Sequence, residues 1–449
     1  MDRNASSVAP KQLLSVSDGI FLTIGMIVGA LIFKAPSTVA GATSGAADFL
    51  LAWVLGGLVS LCGALVYAEL ASRHPDTGGE YMFLMRGMGR GVAFVFAWSR
   101  MTVIQTGAIA AVAFVFGDYA SEIIRLGGNN SSAIWAAIGV VALTVLNLAG
   151  TLQSKTLQKV MEIALIAGLI AFAVAALVVG GAPKPAAAGG GGSLGQFGFA
   201  MIFVLLAFGG WNEAAYLAGE VRDSGRNMRR ILVWGVVSVT LLYLLVNLAY
   251  LAVLGHGGIK ESKAVAADVM RAIAGDKGAV LIALLVCVSV LTTMNAAIFT
   301  GARTTYALGR DFPFLGALGA WRDSGSTPAN ALILQGVIAL FLVGASAFTP
   351  DGFNAMVAYT SPVFWTFFLL TALTLFIFRR RDAEAPAFRV PGYPFVPIAF
   401  CLACVWMLYS SINYVRFAIQ FGAPVVAGLV IMALGIPLYF IARRKAALP

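Results

Sequence analysis

Charge is what this chain has least of. Asp, Glu, Lys and Arg together make up 11% of its 449 residues, against roughly 25% in a typical soluble domain. That scarcity excludes a single water-facing globule, because the apolar surface has too few polar groups to cover it. Histidine is scarcer still: His74 and His256 are the two present, both in expected loops. A membrane-embedded enzyme would need clustered acid, base or metal-binding groups at membrane depth. The nearest approach to a carboxylate pair on one helix face is Glu213 with Glu220, and Glu220 falls at the cytoplasmic end of its span. Cysteine is almost as sparse. Cys62, Cys287, Cys401 and Cys404 all lie within apolar runs, so no disulfide framework is indicated. Cys401 and Cys404 make a C-x-x-C, but inside "AFCLACVW" and without a second ligand pair, which reads as packing. No metal site, cofactor or enzymatic activity is expected.

What the chain has in excess is apolar length: 60% of it is hydrophobic. Runs of about 20 apolar residues recur from end to end, each able to cross a hydrocarbon core about 30 Å thick. They must be helical or close into a barrel, since lipid cannot satisfy backbone groups. The expected fold is therefore an all-α integral membrane protein with twelve transmembrane helices, at 15–40, 46–70, 88–118, 132–150, 157–180, 199–220, 231–254, 278–304, 329–347, 354–378, 397–415 and 422–442. The first is too long, and lacks the small-residue cleavage site, to read as a signal peptide.

The net charge of +10 and pI near 9.6 would suggest nucleic acid in a soluble protein. Its distribution says otherwise. With the N-terminus inside, only Arg125, Lys184, Lys260, Lys263, Arg271, Lys277 and Arg416 fall in outer loops, Lys34 and Arg100 lie within spans, and the remaining 21 of the 30 basic residues are on the inner side. That is the positive-inside pattern, which puts both termini in the cytoplasm of a multi-pass protein of the plasma (inner) membrane. The partners implied are the lipid bilayer and a small molecule, not nucleic acid.

Residues 181–198, "GAPKPAAAGGGGSLGQFG", form a flexible outer linker between the fifth and sixth spans. Without a preceding strand or a following Lys-Ser/Thr pair they do not match a phosphate-binding loop. Asn129 and Asn130 in "GGNNSSA" make overlapping glycosylation sequons, relevant only in a eukaryotic host. The linker divides the chain into a cytoplasmic tail (1–14), a first five-helix block (15–180), a second (199–378) and a remainder (379–449) that holds two accessory spans and the cytoplasmic C-terminus. The first span of each block is interrupted. "TIGMIVGALIFKAPS", residues 23–37, sets Gly25, Gly29, Lys34 and Pro36 in mid-span, and "LLAFGGWNEAA" sets Gly209 beside Gly210. Two glycine-broken helices at matching positions of two five-span halves point to an inverted-repeat transporter with its site at the midplane. An unwound helix exposes N–H groups on one side of the break and C=O groups on the other. A zwitterion fits both, its carboxylate at the N–H groups after Gly29 and its ammonium at the carbonyls of the two breaks. Glycines that merely let helices pack closely are the alternative.

These stretches resemble the amino acid–polyamine–organocation superfamily of permeases, and within it the bacterial L-amino-acid-transporter-like members. "IGMIVGALIF" is similar to the first-span motif, and "YAELASRHPDTGGEYMFLMR" (67–86) to the signature of spans 2 and 3. "AFGGWNEAAYLAGEVRDSGRNMRRI" (207–231) resembles the sixth span and its basic loop. "GARTTYALGRDFPF" (301–314) with the following "TPANAL" resembles the connection of spans 8 and 9. Four motifs in order cover nearly the whole chain. The resemblance implies the leucine-transporter type of fold, a 5+5 inverted repeat with two accessory helices, and a secondary amino acid transporter. It carries the carboxylate contacts to the backbone N–H groups of Ala30 and Leu31, beside Gly29. The ammonium contacts go to the carbonyls of Ile27, Leu206, Ala207 and Gly209, beside Gly210. It suggests Gln105, Trp211 and Tyr359 for side-chain selectivity and Phe208 or Trp211 as the gate.

The chain departs from the family pattern twice. Leu31 stands where the last glycine of the first-span motif is usual, and Leu165 where many members have a fifth-span lysine used in coupling. Without that lysine, any proton dependence is expected to run through Glu162, one turn earlier; otherwise the protein exchanges or equilibrates amino acids. A neutral amino acid is the favoured substrate. A polyamine or cationic amino acid carrier or exchanger, and a non-transporting amino acid sensor, are the alternatives.

Overall fold

The computed structural model describes residues 15–74, 79–150, 155–180, 193–212, 221–322, 327–382, 384–417 and 422–446. Among them there is no strand, only an isolated bridge between Arg322 and Thr327. The helices are α1 (Val16–Ile27), α2 (Ala35–Gly41), α3 (Ala46–Arg73), α4 (Gly79–Met88), α5 (Arg90–Ser99), α6 (Gln105–Ile123), α7 (Ser131–Leu148) and α8 (Lys155–Gly180). After these come α9 (Leu194–Ala207), α10 (Ser224–Glu261), α11 (Val265–Asp311), α12 (Ala329–Ser346), α13 (Gly352–Arg381), α14 (Phe395–Phe417) and α15 (Gly422–Ala446). We call the face on which α1 begins the near face and the opposite one the far face.

Ten stretches among the described residues are long and apolar enough to cross a membrane. The two expected spans that are not continuous are the first and the sixth, which begin as the short apolar helices α1, of 12 residues, and α9, of 14. Each starts with a capping box: Ser15 with Asp18, and Ser193 with Gln196. The cap satisfies N–H groups that the first turn leaves over, so each short helix is held at its start and free to end where the backbone turns away.

One expected loop, 255–277, is largely helical instead. α10 runs on past 254, and α11 begins before 278, with kinks at Gly255 and Gly275, each at φ 69°. Polar residues such as Asp268, Arg271 and Asp276 disguise these far-face turns as loops in the sequence. α5 and α6 form one span joined by a π-helical turn, Arg100–Ile104. The buried core is continuous through the bundle, while apolar side chains such as Leu58, Val145, Leu241 and Phe341 point outward. Apolar groups both inside and on the outer surface are what lipid, unlike water, tolerates.

Candidate functional site

The first break follows Ile27. Val28 and Gly29 are extended, at φ −72°, ψ 103° and φ −138°, ψ −162°, a 3₁₀ turn runs Ala30–Phe33, and α2 resumes after Lys34. The second break is Phe208–Gly210, directly after α9. Gly210 sits at φ 110°, and a Cβ built on it would lie 2.1 Å from the carbonyl oxygen of Met26. Only glycine fits there, for both conformation and space. The two breaks are thus packed against each other.

Tyrosines take over the hydrogen bonds that the helix gives up. The Tyr243 hydroxyl of α10 lies 3.1 Å from the Ile27 carbonyl and 3.0 Å from that of Ala207, and its one proton serves either. Tyr119 of α6 donates to the Phe33 carbonyl at 2.9 Å and accepts from the Ala266 N–H at 3.2 Å. Tyr250 reaches the Ile32 carbonyl at the longer distance of 3.5 Å. None of the three stood out in the sequence reading. The signal was there: Tyr243, Asn247 and Tyr250 form a polar stripe at helical spacing in a largely apolar span.

Beside the breaks lies a cavity of about 550 Å³. Ile27, Gly29, Ala30, Leu31, Leu206, Ala207, Gly209, Gly210 and Gln105 line it, which brings the expected backbone contacts to one wall. The N–H groups of Ala30 and Leu31 open the 3₁₀ turn, where a helix leaves donors without partners of its own. Leu206 accepts from the Gly209 N–H at 3.0 Å; each carbonyl has a second lone pair. The Gln105 amide donates to the Ala297 carbonyl at 2.8 Å, which ties the expected selectivity residue to α11.

Three expected side chains are elsewhere. Phe208 is fully buried against Trp53 and Tyr243. Trp211, 3% exposed, packs among Tyr67, Phe368 and Phe400. Tyr359 gives its hydroxyl to the Thr102 carbonyl, 2.9 Å away in the π-helical turn. The aromatic rings at the cavity wall are instead Phe33, Phe96, Phe172, Phe364, Phe367 and Phe368. Leu165 lines it too, an apolar contact at the position of the family lysine. The side chain of Glu162 lies outside the described residues, as do Glu213 and Glu220.

Among the described residues the charged lining is a matched pair. Arg100 sits 3.1 Å from one Glu80 oxygen, and the Asn212 amide donates to the other at 3.2 Å. Nearby on the near face, Glu69 is fully buried and accepts from Arg73, from Arg379 and, at 2.7 Å, from the Val390 N–H. That network fastens the ends of α3 and α13 to the segment before α14. In the same region, burial and the adjacent Arg86 guanidinium hold the His74 pKa below the usual histidine range, against the pull of Asp382. Burial, with the Asp311 carboxylate that accepts its hydroxyl, pushes Tyr81 upward.

The amino acid permease family model matches residues 14–435. Among individual proteins, the chain is 29% identical over 408 residues to the b(0,+)-type amino acid transporter 1 of Mus musculus, covering 88% of this chain and 81% of that one. To the serine/threonine exchanger SteT of Bacillus subtilis (strain 168) it is 27% identical over 445 residues, covering 97% and 98%. The human cystine/glutamate transporter is 25% identical over 441 residues, covering 96% and 85%.

Proposed function

The chain belongs to the amino acid permease family, whose members and relatives are transporters rather than enzymes, and from that premise we propose that it carries a neutral amino acid across the membrane by alternating access. One observation carries this: the two breaks touch each other at the wall of one cavity, with the N–H groups of Ala30 and Leu31 and the carbonyls around Ile27 and Ala207 on the same lining. Those groups meet a carboxylate and an ammonium that are one carbon apart. Neutrality of the remaining side chain is supported by the described lining, where Glu80 and Arg100 pair with each other.

In this proposal the twelve crossings form a 5+5 inverted repeat with two accessory spans, both termini face the cytoplasm, and the protein resides in the plasma membrane. The capping boxes at the start of both broken spans support the repeat, and the basic bias of the near-face loops supports the orientation. Exchange is the favoured mode, because Leu165 cannot hold a proton and the similar SteT is an exchanger; any proton dependence is assigned to Glu162. Purified protein in liposomes, given labelled amino acids, tests the whole. Free neutral amino acids are expected to compete far better than their amides or the matching carboxylic acids. Equal competition by a polyamine would move the substrate to the cationic class, and binding without uptake would make the protein a sensor.

A further inference from the structure

A lysine in a membrane span is costly and demands a reason. Lys34 has side-chain exposure of 3%, and its ammonium lies 2.8 Å from Asp118 Oδ2 and 3.4 Å from Asp351 Oδ2. The construction of this site is one-sided. Asp118 stands on α6 and fixes its other oxygen on the Ser132 hydroxyl of α7, at 2.7 Å. Asp351 caps α13, its other oxygen accepting the Asn354 N–H at 3.0 Å. Each carboxylate is therefore oriented by elements outside the broken span and turns its free oxygen to Lys34. The socket is built by those other elements, and the lysine is a plug supplied by the residue just after the 3₁₀ turn.

The surroundings allow the plug to leave. Asp118 and Asp351 are 13% and 31% exposed, and with Lys34, Ser132, Asn129 and Thr349 they line a small polar cavity of about 80 Å³ on the far side. Water there can take over the carboxylates, which a dry ion pair would forbid. The neighbouring Phe33 lines the large cavity instead. One step of the backbone thus separates the proposed substrate chamber from the far-side cavity, and Lys34 closes that step.

We infer that Lys34 is a positioning residue of the transport cycle: seated between Asp118 and Asp351 it seals the chamber from the far side, and substrate passes that way only when it is withdrawn. This inference rests on the proposed carrier function. It adds that the seal is ionic and detachable.

Val112 lines the large cavity on α6, on the chamber side of Asp118. In a background with Cys62, Cys287, Cys401 and Cys404 replaced, Val112→Cys is treated with a membrane-impermeant thiol reagent confined to the side opposite the N-terminus. Lys34→Met is expected to raise the labelling rate roughly ten-fold, as a shift in a two-state balance does. Lys34→Arg should label near the parental rate, and the exchange of charges, Lys34→Asp with Asp118→Lys, should return toward it. If Lys34→Met folds poorly, Asp351→Asn removes one arm while leaving Lys34 paired, and should raise labelling by a smaller factor. Parental labelling rates in Lys34→Met and in Asp351→Asn, with only a lowered melting temperature, would overturn the inference. Uptake by the parent protein tests the carrier function separately. Labelling that answers to Lys34 in a parent that moves no amino acid would sink the carrier function and keep the seal.

Discussion

The two halves of the first span are held by different physics. The near half, α1, meets α10 through shape: a Cβ on Gly19 would come within 2.5 Å of Ile231, and one on Gly235 within 2.6 Å of Thr23. The far half is held by directed polar groups. Lys34 is gripped by two carboxylates, the Thr38 hydroxyl donates to Asn354 at 3.1 Å, and Thr43, just past α2, meets His256 at 3.0 Å. A steric fit weakens gradually as helices tilt or slide. An ion pair beside a small polar cavity is either seated or handed over to water, with little in between. The near end is thus built for graded movement and the far end for a discrete one, which suits the alternating access proposed above.

The contrast breaks most severely where the halves meet. Gly210→Ala would push a methyl group into the Met26 carbonyl and force an L residue to φ 110°. Uptake in liposomes is expected to fall by more than about ten-fold even where the protein is still made, because the backbone of both breaks must shift. Retained uptake would mean that the breaks are not jointly required.

Gly235→Ala sharpens the near side. Its methyl group would overlap Thr23, and overpacking of this kind costs about 1–3 kcal/mol. A lowered melting temperature in detergent checks this, with far-side labelling of Val112→Cys unchanged. Increased far-side labelling in this variant would erase the distinction between the halves. The smallest effect belongs to Thr38→Val, which removes one half-buried hydrogen bond worth about 0.5–1.5 kcal/mol. Far-side labelling should rise slightly, by less than in Asp351→Asn, since no charge is lost.

Much of this was legible from residues. Gly29, Gly209 and Gly210 marked the interruptions, and the shortness of α1 and α9 has the cause expected of them. The kinks at Gly255 and Gly275 were not legible, because a glycine followed by polar residues reads equally as a loop. Trp211 shows a deeper limit. Beyond an irregular turn the helical phase is lost, so spacing no longer tells which way a ring points. Lys34 was visibly anomalous in the sequence, but Asp118 and Asp351 lie far along the chain, and only the fold brings them to it. Tyr243 shows the opposite failure, a signal present in plain view as a polar stripe within a largely apolar span.

The tyrosines that hold the break have a thermodynamic corollary. Tyr243 and Tyr119 stand in for the lost helical partners, so the chain itself supplies the hydrogen bonds that the unwinding gives up. In the binding mode proposed above, an arriving amino acid would meet an opened strand and need not melt a helix to reach it, so its affinity would carry no coil-formation penalty. Helix content by circular dichroism should accordingly stay constant as substrate saturates the protein, and association should lack the slow phase that a helix-to-coil step would impose.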